Sequence, residues 1–140
     1  MQAPAKLRSA TRRVPLGELR VLEPACGPGI YLSHFGPGSV GLDSNQEACS
    51  GAEAKGLDIR GCDLDKEGWS AAVDGDPPWQ AAWLCDVMMH VADPAAFLAE
   101  LTPTLAPGAP VLCVEWCLPN PGLFAGLRRF LCMRMPGMSA

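Results

Sequence analysis

The stretch VLEPACGPG at residues 21–29 is followed further along the chain by VGLD at residues 40–43. Each begins as a short apolar run that reaches a carboxylate, and a glycine-bearing loop follows the first of them. Open α/β sheets build nucleoside pockets in this way, because the carboxyl ends of parallel strands meet at one edge of the sheet. The pattern therefore predicts a pocket that begins at Glu23 and Asp43.

Five short apolar segments recur along the chain, and each ends in or beside a carboxylate. Polar or helix-forming stretches separate them, which favours parallel strands joined by right-handed crossovers. We therefore predict an α/β, Rossmann-like, doubly wound domain with a mainly parallel sheet of about five strands. The predicted strands are Leu19–Glu23, Ser39–Asp43, Leu57–Asp63, Ala81–Asp86 and Val111–Glu115.

Helices are predicted between these segments. The clearest covers Pro94–Leu105, because Asp93 can cap it and Pro94 suits a first helical turn. The others are Ile30–Phe35, Gln46–Lys55 and Lys66–Val73.

The 140 residues fit one domain with two tails. Residues 1–18 are basic and predict a flexible tail, although a targeting segment has a similar composition. Residues 19–120 form the predicted ligand-binding domain. Residues 121–140 form a C-terminal tail of the same domain, with an amphipathic helix over Pro121–Met135 that covers the sheet or binds a partner.

Composition excludes several classes of partner. A net charge of −4 without a dense basic run argues against nucleic acid. The sequence contains no uninterrupted apolar span of about 18 residues, so no membrane helix is predicted. The seven cysteines are odd in number and lie within apolar runs, so we expect buried thiols in a reducing, cytoplasmic setting. Neither histidine has ligand-like spacing to a cysteine, so no metal site is expected.

Electrostatics distinguish the two nucleoside cofactors that such a pocket could hold. Glu23 would repel the pyrophosphate of NAD but attract an ammonium group with a sulfonium nearby. A dinucleotide-binding turn also requires a third glycine, and Leu32 occupies that position. S-adenosylmethionine is therefore favoured over NAD, and an NAD-dependent oxidoreductase is the less favoured enzyme.

Two further carboxylates follow the second and third predicted strands. Asp43 can accept hydrogen bonds from both ribose hydroxyls of either cofactor. Ser44 and Asn45 suit the cap of the next helix. Asp63 can accept from an adenine amino group, or it can be a solvated loop acid; its spacing favours neither.

These motifs together resemble the class I S-adenosylmethionine-dependent methyltransferases. The first motif of that family is similar to residues 21–29, and its second-strand acid is similar to Asp43. Residues 85–94, 97–98 and 105–108 resemble the small-molecule branch of the ubiquinone-biosynthesis type. The likeness covers Val21 to Pro121 and implies methyl transfer from S-adenosylmethionine to a small-molecule acceptor.

Carried over by position, the resemblance assigns the cofactor contacts. It implies that the methionine amino group lies near Glu23, that the ribose binds Asp43, and that the sulfonium end lies beside Asp86. The complete set is Glu23, Ala25, Gly27, Gly29, Asp43, Ser44, Cys62, Asp63, Leu64, Asp86 and Val87. Ala25 departs from the family by replacing a glycine, and Met89 stands where relatives often carry a glutamate.

His90 is the candidate catalytic base, because an imidazole titrates near neutral pH. If a helix starts at Asp86, that carboxylate lies four residues away on one face and can orient the ring. The alternative is that His90 only packs beneath the loop. Glu115 and Trp116 follow the fifth strand and could contact the acceptor.

The family sheet has seven strands, and the sequence predicts no sixth or seventh here. Their loss would expose a sheet edge, which a homo-oligomer, a partner chain or the tail helix could cover. Three interpretations follow: a minimal enzyme, a fragment, or a catalytically inactive S-adenosylmethionine-binding subunit.

Overall fold

A mainly parallel sheet forms the centre of the computed structural model, which describes residues 4–115 and 130–133. Its strands are β1 (Val21–Pro24), β2 (Val40–Asp43), β3 (Ile59–Gly61), β4 (Ala81–Cys85), β5 (Val111–Val114) and β6 (Phe130–Met133). They lie in the order β3-β2-β1-β4-β5-β6. The first five are parallel, which confirms the predicted Rossmann-like sheet.

The strand order places a crevice at the carboxyl end of β1. From β1 the chain moves outward to β2 and β3, and then returns to β4 on the other side of β1. Helices on opposite sides of such a reversal leave a gap where ligands bind. The predicted site residues of β1, β2 and β4 therefore face one another across this switch point.

Two of the four predicted helices are confirmed as α-helices. They are α2 (Gln46–Glu53) and α3 (Pro94–Leu101). Asn45 caps the first through bonds from the backbone N–H groups of residues 47 and 48, and Asp93 caps the second in the same way. The capping role predicted for Ser44 is therefore filled by Asn45 alone.

The other two predicted helices shorten to single 3₁₀ turns. These are Leu32–His34 and Trp69–Val73. Gly36 and Pro37 follow the first turn and leave too few residues for an α-helix. A third 3₁₀ turn, Thr102–Thr104, continues α3.

The amino-terminal segment corrects the prediction of a flexible tail over residues 1–18. Within the described residues it forms α1 (Ala5–Thr11), and Leu7, Ala10 and Leu16 are buried. They pack with Trp83 of β4 on one face of the sheet. The prediction relied on the basic composition of the segment and did not consider the apolar residues at positions 7, 10 and 16.

The carboxyl-terminal strand corrects two further predictions. β6 pairs antiparallel with β5, and Val114 lies opposite Phe130. The amphipathic helix predicted over Pro121–Met135 is therefore wrong at 130–133, and its remaining residues lie outside the described ones. β6 also satisfies the β5 edge that the missing sixth strand was expected to leave exposed.

The larger part of the core lies on the opposite face of the sheet. Leu22, Leu42 and Leu84 are buried there beneath Trp69 and Phe97, whose rings stack at 5.2 Å between centroids. Among the thiols of the described residues, Cys26 and Cys49 are buried and Cys62, Cys85 and Cys113 partly buried. None of the described helices is long and apolar enough to span a membrane.

Gly41, in the middle of β2, allows the first loop to lie against that strand. A β-carbon at Gly41 would lie 2.5 Å from Cys26 Sγ and 2.9 Å from Cys26 Cβ. Gly41→Ala is therefore expected to lower the free energy of unfolding by about 1–3 kcal/mol, measured by chemical denaturation. The matched control is Gly61→Ala on β3, where a β-carbon would meet nothing within 4 Å. An equal loss in both variants would contradict this packing.

Candidate functional site

A cleft of about 250 Å³ opens at the carboxyl edge of the sheet. It brings together most of the residues that the sequence assigned to the cofactor, and it includes the candidate base. Its walls are Ala25, Asp43, Ser44, Cys62, Asp63, Leu64, Asp65, Val87, His90 and Val91. Four predicted residues are outside this lining: Glu23, Gly27, Gly29 and Asp86.

Asp43 joins the first loop to the end of β2. Its Oδ2 accepts a hydrogen bond from the Gly27 N–H at 2.7 Å, and its Oδ1 accepts from the Asn45 N–H at 2.8 Å. A carboxylate oxygen can accept more than one hydrogen bond, so both oxygens keep capacity for ligand hydroxyls. Asp43 therefore orders the loop and presents charge to the cleft at the same time.

The loop after β3 forms the wall opposite the first loop. The Cys62 N–H donates to the backbone carbonyl of Asp43 at 2.9 Å, which places residues 62–64 beside that carboxylate. Asp63 is exposed; it accepts from the Asp65 N–H at 3.2 Å and lies 3.7 Å from Lys66 Nζ. It is thus both a turn residue and a cleft residue, and the adenine contact stays a prediction.

The first loop is built from three left-handed residues. Ala25, Gly27 and Gly29 have φ angles of 54°, 53° and 72°. This conformation costs a residue with a β-carbon about 1–2 kcal/mol, so Ala25 is strained where the family has glycine. A β-carbon at Gly29 would lie 2.6 Å from Leu57 Cδ1. That glycine packs the loop against the domain and lies outside the cleft.

Glu23 is a buried carboxylate at the end of β1. The residue is only 2% exposed, and its Oε2 has no hydrogen-bond partner among the described residues. Burial raises the pKa of Glu23 well above its ordinary range; a Leu32 N–H opposes this shift and the charge of Asp43 adds to it. A nearby cation would favour the ionised form.

The loop after β4 is held by two residues from distant parts of the chain. Asp86 has a φ of 59° and bonds through Oδ2 to Lys6 Nζ of α1. Glu115, after β5, accepts from the N–H groups of Val87 and Met88 at 2.8 and 2.9 Å. The sequence had placed Glu115 near the acceptor and Lys6 in a tail, and no local pattern signalled either contact.

His90 lines the cleft, but the predicted pairing with Asp86 is wrong. No helix begins at Asp86, because its left-handed backbone turns the chain away from a helical path. The carboxylate pairs with Lys6 instead. His90 is exposed, and its role as a base stays a prediction.

The charges of the site fit a cationic nucleoside. Asp43, Asp63 and Asp65 line the cleft, and buried Glu23 lies at the switch point. These acids would repel a pyrophosphate, whereas an ammonium or sulfonium group would be attracted. Oε2 of Glu23, which has no hydrogen-bond partner in the part of the chain that the structure describes, would be stabilised by a positive or donating group.

No family model matches this sequence, and no curated protein matches it. Solved structures do share the fold. An S-adenosylmethionine-dependent methyltransferase from Mesorhizobium loti has a TM-score of 0.67 and 21% identity over 94% of this chain and 65% of that chain. CalS10, an amino pentose methyltransferase from Micromonospora echinaspora bound to S-adenosylmethionine, has a TM-score of 0.64 and 21% identity over 83% of this chain and 50% of that chain.

A third structure is a chain from a complex that contains the Trm112 methyltransferase activator of Haloferax volcanii. It has a TM-score of 0.64 and 24% identity, over 78% of this chain and 50% of that chain. This protein thus spans only half to about two thirds of the length of these structures. The likeness establishes the fold that the motifs had predicted. The chain has the Rossmann-like fold of the class I S-adenosylmethionine-dependent methyltransferases.

Proposed function

We propose that this protein binds S-adenosylmethionine and transfers its methyl group to a small-molecule acceptor. The observation that carries the proposal is Glu23, a buried carboxylate at the switch point with one oxygen that has no hydrogen-bond partner among the described residues. A cofactor with an amino-acid ammonium supplies the charge that this group lacks. NAD has no such group near its pyrophosphate.

Each wall of the cleft has a part in holding the ligand. Asp43 accepts from the ribose hydroxyls while its backbone contacts keep the first loop in place. Cys62, Asp63 and Leu64 surround the adenine, and Asp63 accepts from the exocyclic amino group. Val87 packs beside the sulfur end.

Bound S-adenosylmethionine would supply a methyl group for in-line attack by the acceptor, with the carbon–sulfur bond broken and S-adenosylhomocysteine as the leaving group. The protein has to orient the reactants and exclude water from them. His90 is the candidate to accept a proton from the acceptor, because its side chain lines the same cleft as Val87. An imidazole at this position suits an acceptor that must lose a proton near neutral pH.

The alternative function is that of an S-adenosylmethionine-binding subunit without activity. One of the solved structures that share the fold comes from a complex with a methyltransferase activator, which favours this alternative. The pairing of β6 with β5 removes the exposed β5 edge as an argument for such a partner. Turnover of any acceptor by the isolated chain would exclude the alternative.

Calorimetric titration with S-adenosylmethionine, S-adenosylhomocysteine and NAD tests the proposal. We expect micromolar binding of the first two ligands and none of NAD. The two favoured ligands share the adenosine and amino-acid groups, so both should bind. Binding of NAD alone would replace the proposal with an oxidoreductase, and binding of none of the three would contradict it.

A further inference from the structure

Lys6 is partly buried and contacts the loop after β4, although it lies in the amino-terminal helix. Its side chain is 12% exposed, and its ammonium bonds to Asp86 Oδ2 and lies 3.4 Å from Cys85 Sγ. Burial lowers the pKa of Lys6, but the bonds to Asp86 and Cys85 outweigh this effect and the pKa is raised overall. Lys6 is therefore charged at neutral pH.

Asp86 has a strained backbone that is contacted from two parts of the chain. Its backbone is left-handed, which costs a residue with a β-carbon about 1–2 kcal/mol. Its N–H donates to the Val114 carbonyl at 2.8 Å, and the next two N–H groups donate to Glu115. The backbone is thus held from β5, and Lys6 holds the side chain from α1.

Tyr31 connects this pair to Glu23. Its ring packs on Trp83 at 5.5 Å between centroids, and its hydroxyl is hydrogen-bonded to the Cys85 thiol. Burial raises the pKa of Tyr31, and the charges of Asp86 and Glu23 raise it further. Glu23 lies in β1, which pairs with β4, so Glu23 and Asp86 both lie toward the carboxyl ends of neighbouring strands. We call Lys6, Glu23, Tyr31, Cys85 and Asp86 the β1–β4 cluster.

The β1–β4 cluster and the cleft occupy different ends of the site. Asp43 and residues 62–64 line the cleft, whereas the cluster lies at the carboxyl ends of the adjacent strands β1 and β4. Asp86 Oδ1 and Glu23 Oε2 are both buried without a hydrogen-bond partner among the described residues. The cluster therefore has unused acceptors that the adenosine end of a ligand does not satisfy.

We propose that Lys6 is a positioning residue for the amino-acid end of the ligand, whose ammonium the proposed function places at Glu23. This inference rests on the proposed function. Lys6 acts through Asp86: it holds one oxygen of that carboxylate and keeps the other directed toward the group bound at Glu23. The amino-terminal helix is thereby part of the binding site.

Titration of Lys6→Met with three ligands tests the inference. S-adenosylmethionine and S-adenosylhomocysteine should bind about tenfold more weakly or worse, as expected for loss of a supporting ionic contact. Methylthioadenosine lacks the amino-acid end and should bind within about twofold of wild type. Lys6→Arg, which keeps the charge, should recover most of the affinity. Arg12→Met is the matched control, because Arg12 is exposed on the same segment.

Three outcomes would overturn the inference. Unchanged binding would show that Lys6 has no positioning role, and tighter binding would show that it competes with the ligand ammonium. Equal weakening of all three ligands would show a merely structural role. Failure of the wild-type protein to bind S-adenosylmethionine would instead contradict the proposed function itself.

A comparison made in the Asp86→Asn background keeps the test decisive if Lys6→Met unfolds. Asp86→Asn keeps the size of the side chain and removes its charge. In the presence of Asp86→Asn, adding Lys6→Met should change S-adenosylhomocysteine affinity by less than about twofold, because the two residues act as a unit. A larger further loss on adding Lys6→Met would contradict action through Asp86.

Discussion

Glu23→Gln is expected to stabilise the empty protein and to weaken its binding of S-adenosylmethionine. Glutamine keeps the shape of the buried side chain and removes a charge that burial disfavours. The same change removes the attraction for the ligand ammonium, and loss of one partner of a desolvated charge pair weakens binding by about 30-fold or more. Thermal unfolding and calorimetry measure the two opposite effects.

The choice of ligand locates the effect of Glu23→Gln. S-adenosylhomocysteine has the same ammonium and should lose the same affinity, whereas methylthioadenosine lacks it and should bind as it does to wild type. Equal loss for all three ligands would mean that Glu23 only supports the fold. Asp65→Asn is the matched control, because it removes another acid of the site that is exposed.

The pH dependence of stability follows from the raised pKa of Glu23. Between the ordinary value of 4.5 and the folded value, the folded protein retains a proton that the unfolded chain has released. Raising the pH through this window therefore lowers the free energy of unfolding of wild type relative to Glu23→Gln, and above the window the difference is constant. A difference that grew in favour of wild type with rising pH would contradict the burial of this carboxyl.

Asp43→Ala should have the larger effect on binding, because Asp43 serves every ligand with a ribose. Hydrogen bonds to a charged acceptor are worth about 1.5–3 kcal/mol each, so loss of both hydroxyl contacts should weaken binding by roughly 100-fold or more. The N–H groups of Gly27 and Asn45 also lose their acceptor. The free energy of unfolding should therefore fall by about 1–3 kcal/mol.

Calorimetry with the same three ligands separates the two acids. Asp43→Ala should weaken methylthioadenosine as well as S-adenosylmethionine, in contrast to Glu23→Gln. The control is Asp65→Ala, which removes a cleft carboxylate that likewise accepts a backbone N–H, from Ala92 at 2.8 Å. If both alanine variants lost the same affinity, the effect would be one of net charge and the ribose contact would be excluded.

The sequence was sufficient where the signal is local. Five apolar runs that end beside acids predicted the five parallel strands, because buried parallel strands are apolar on both faces. Asp93 and Pro94 predicted the start of α3, because capping and first-turn preferences depend on neighbouring residues. The same runs placed Asp43 and Asp63 at one edge, where the cleft is found.

Only the tertiary structure decided how the site is held together. Lys6 and Asp86 are separated by 80 residues, and Glu115 reaches back across 28 residues to Val87. No periodicity or motif records such pairs, because they depend on which strands become neighbours and how the helices pack on them. The left-handed backbone of Asp86, the burial of Glu23 and the pairing of β6 with β5 are consequences of that packing. Sequence patterns thus predicted which residues meet at the switch point, and long-range packing determined which of them bond to one another.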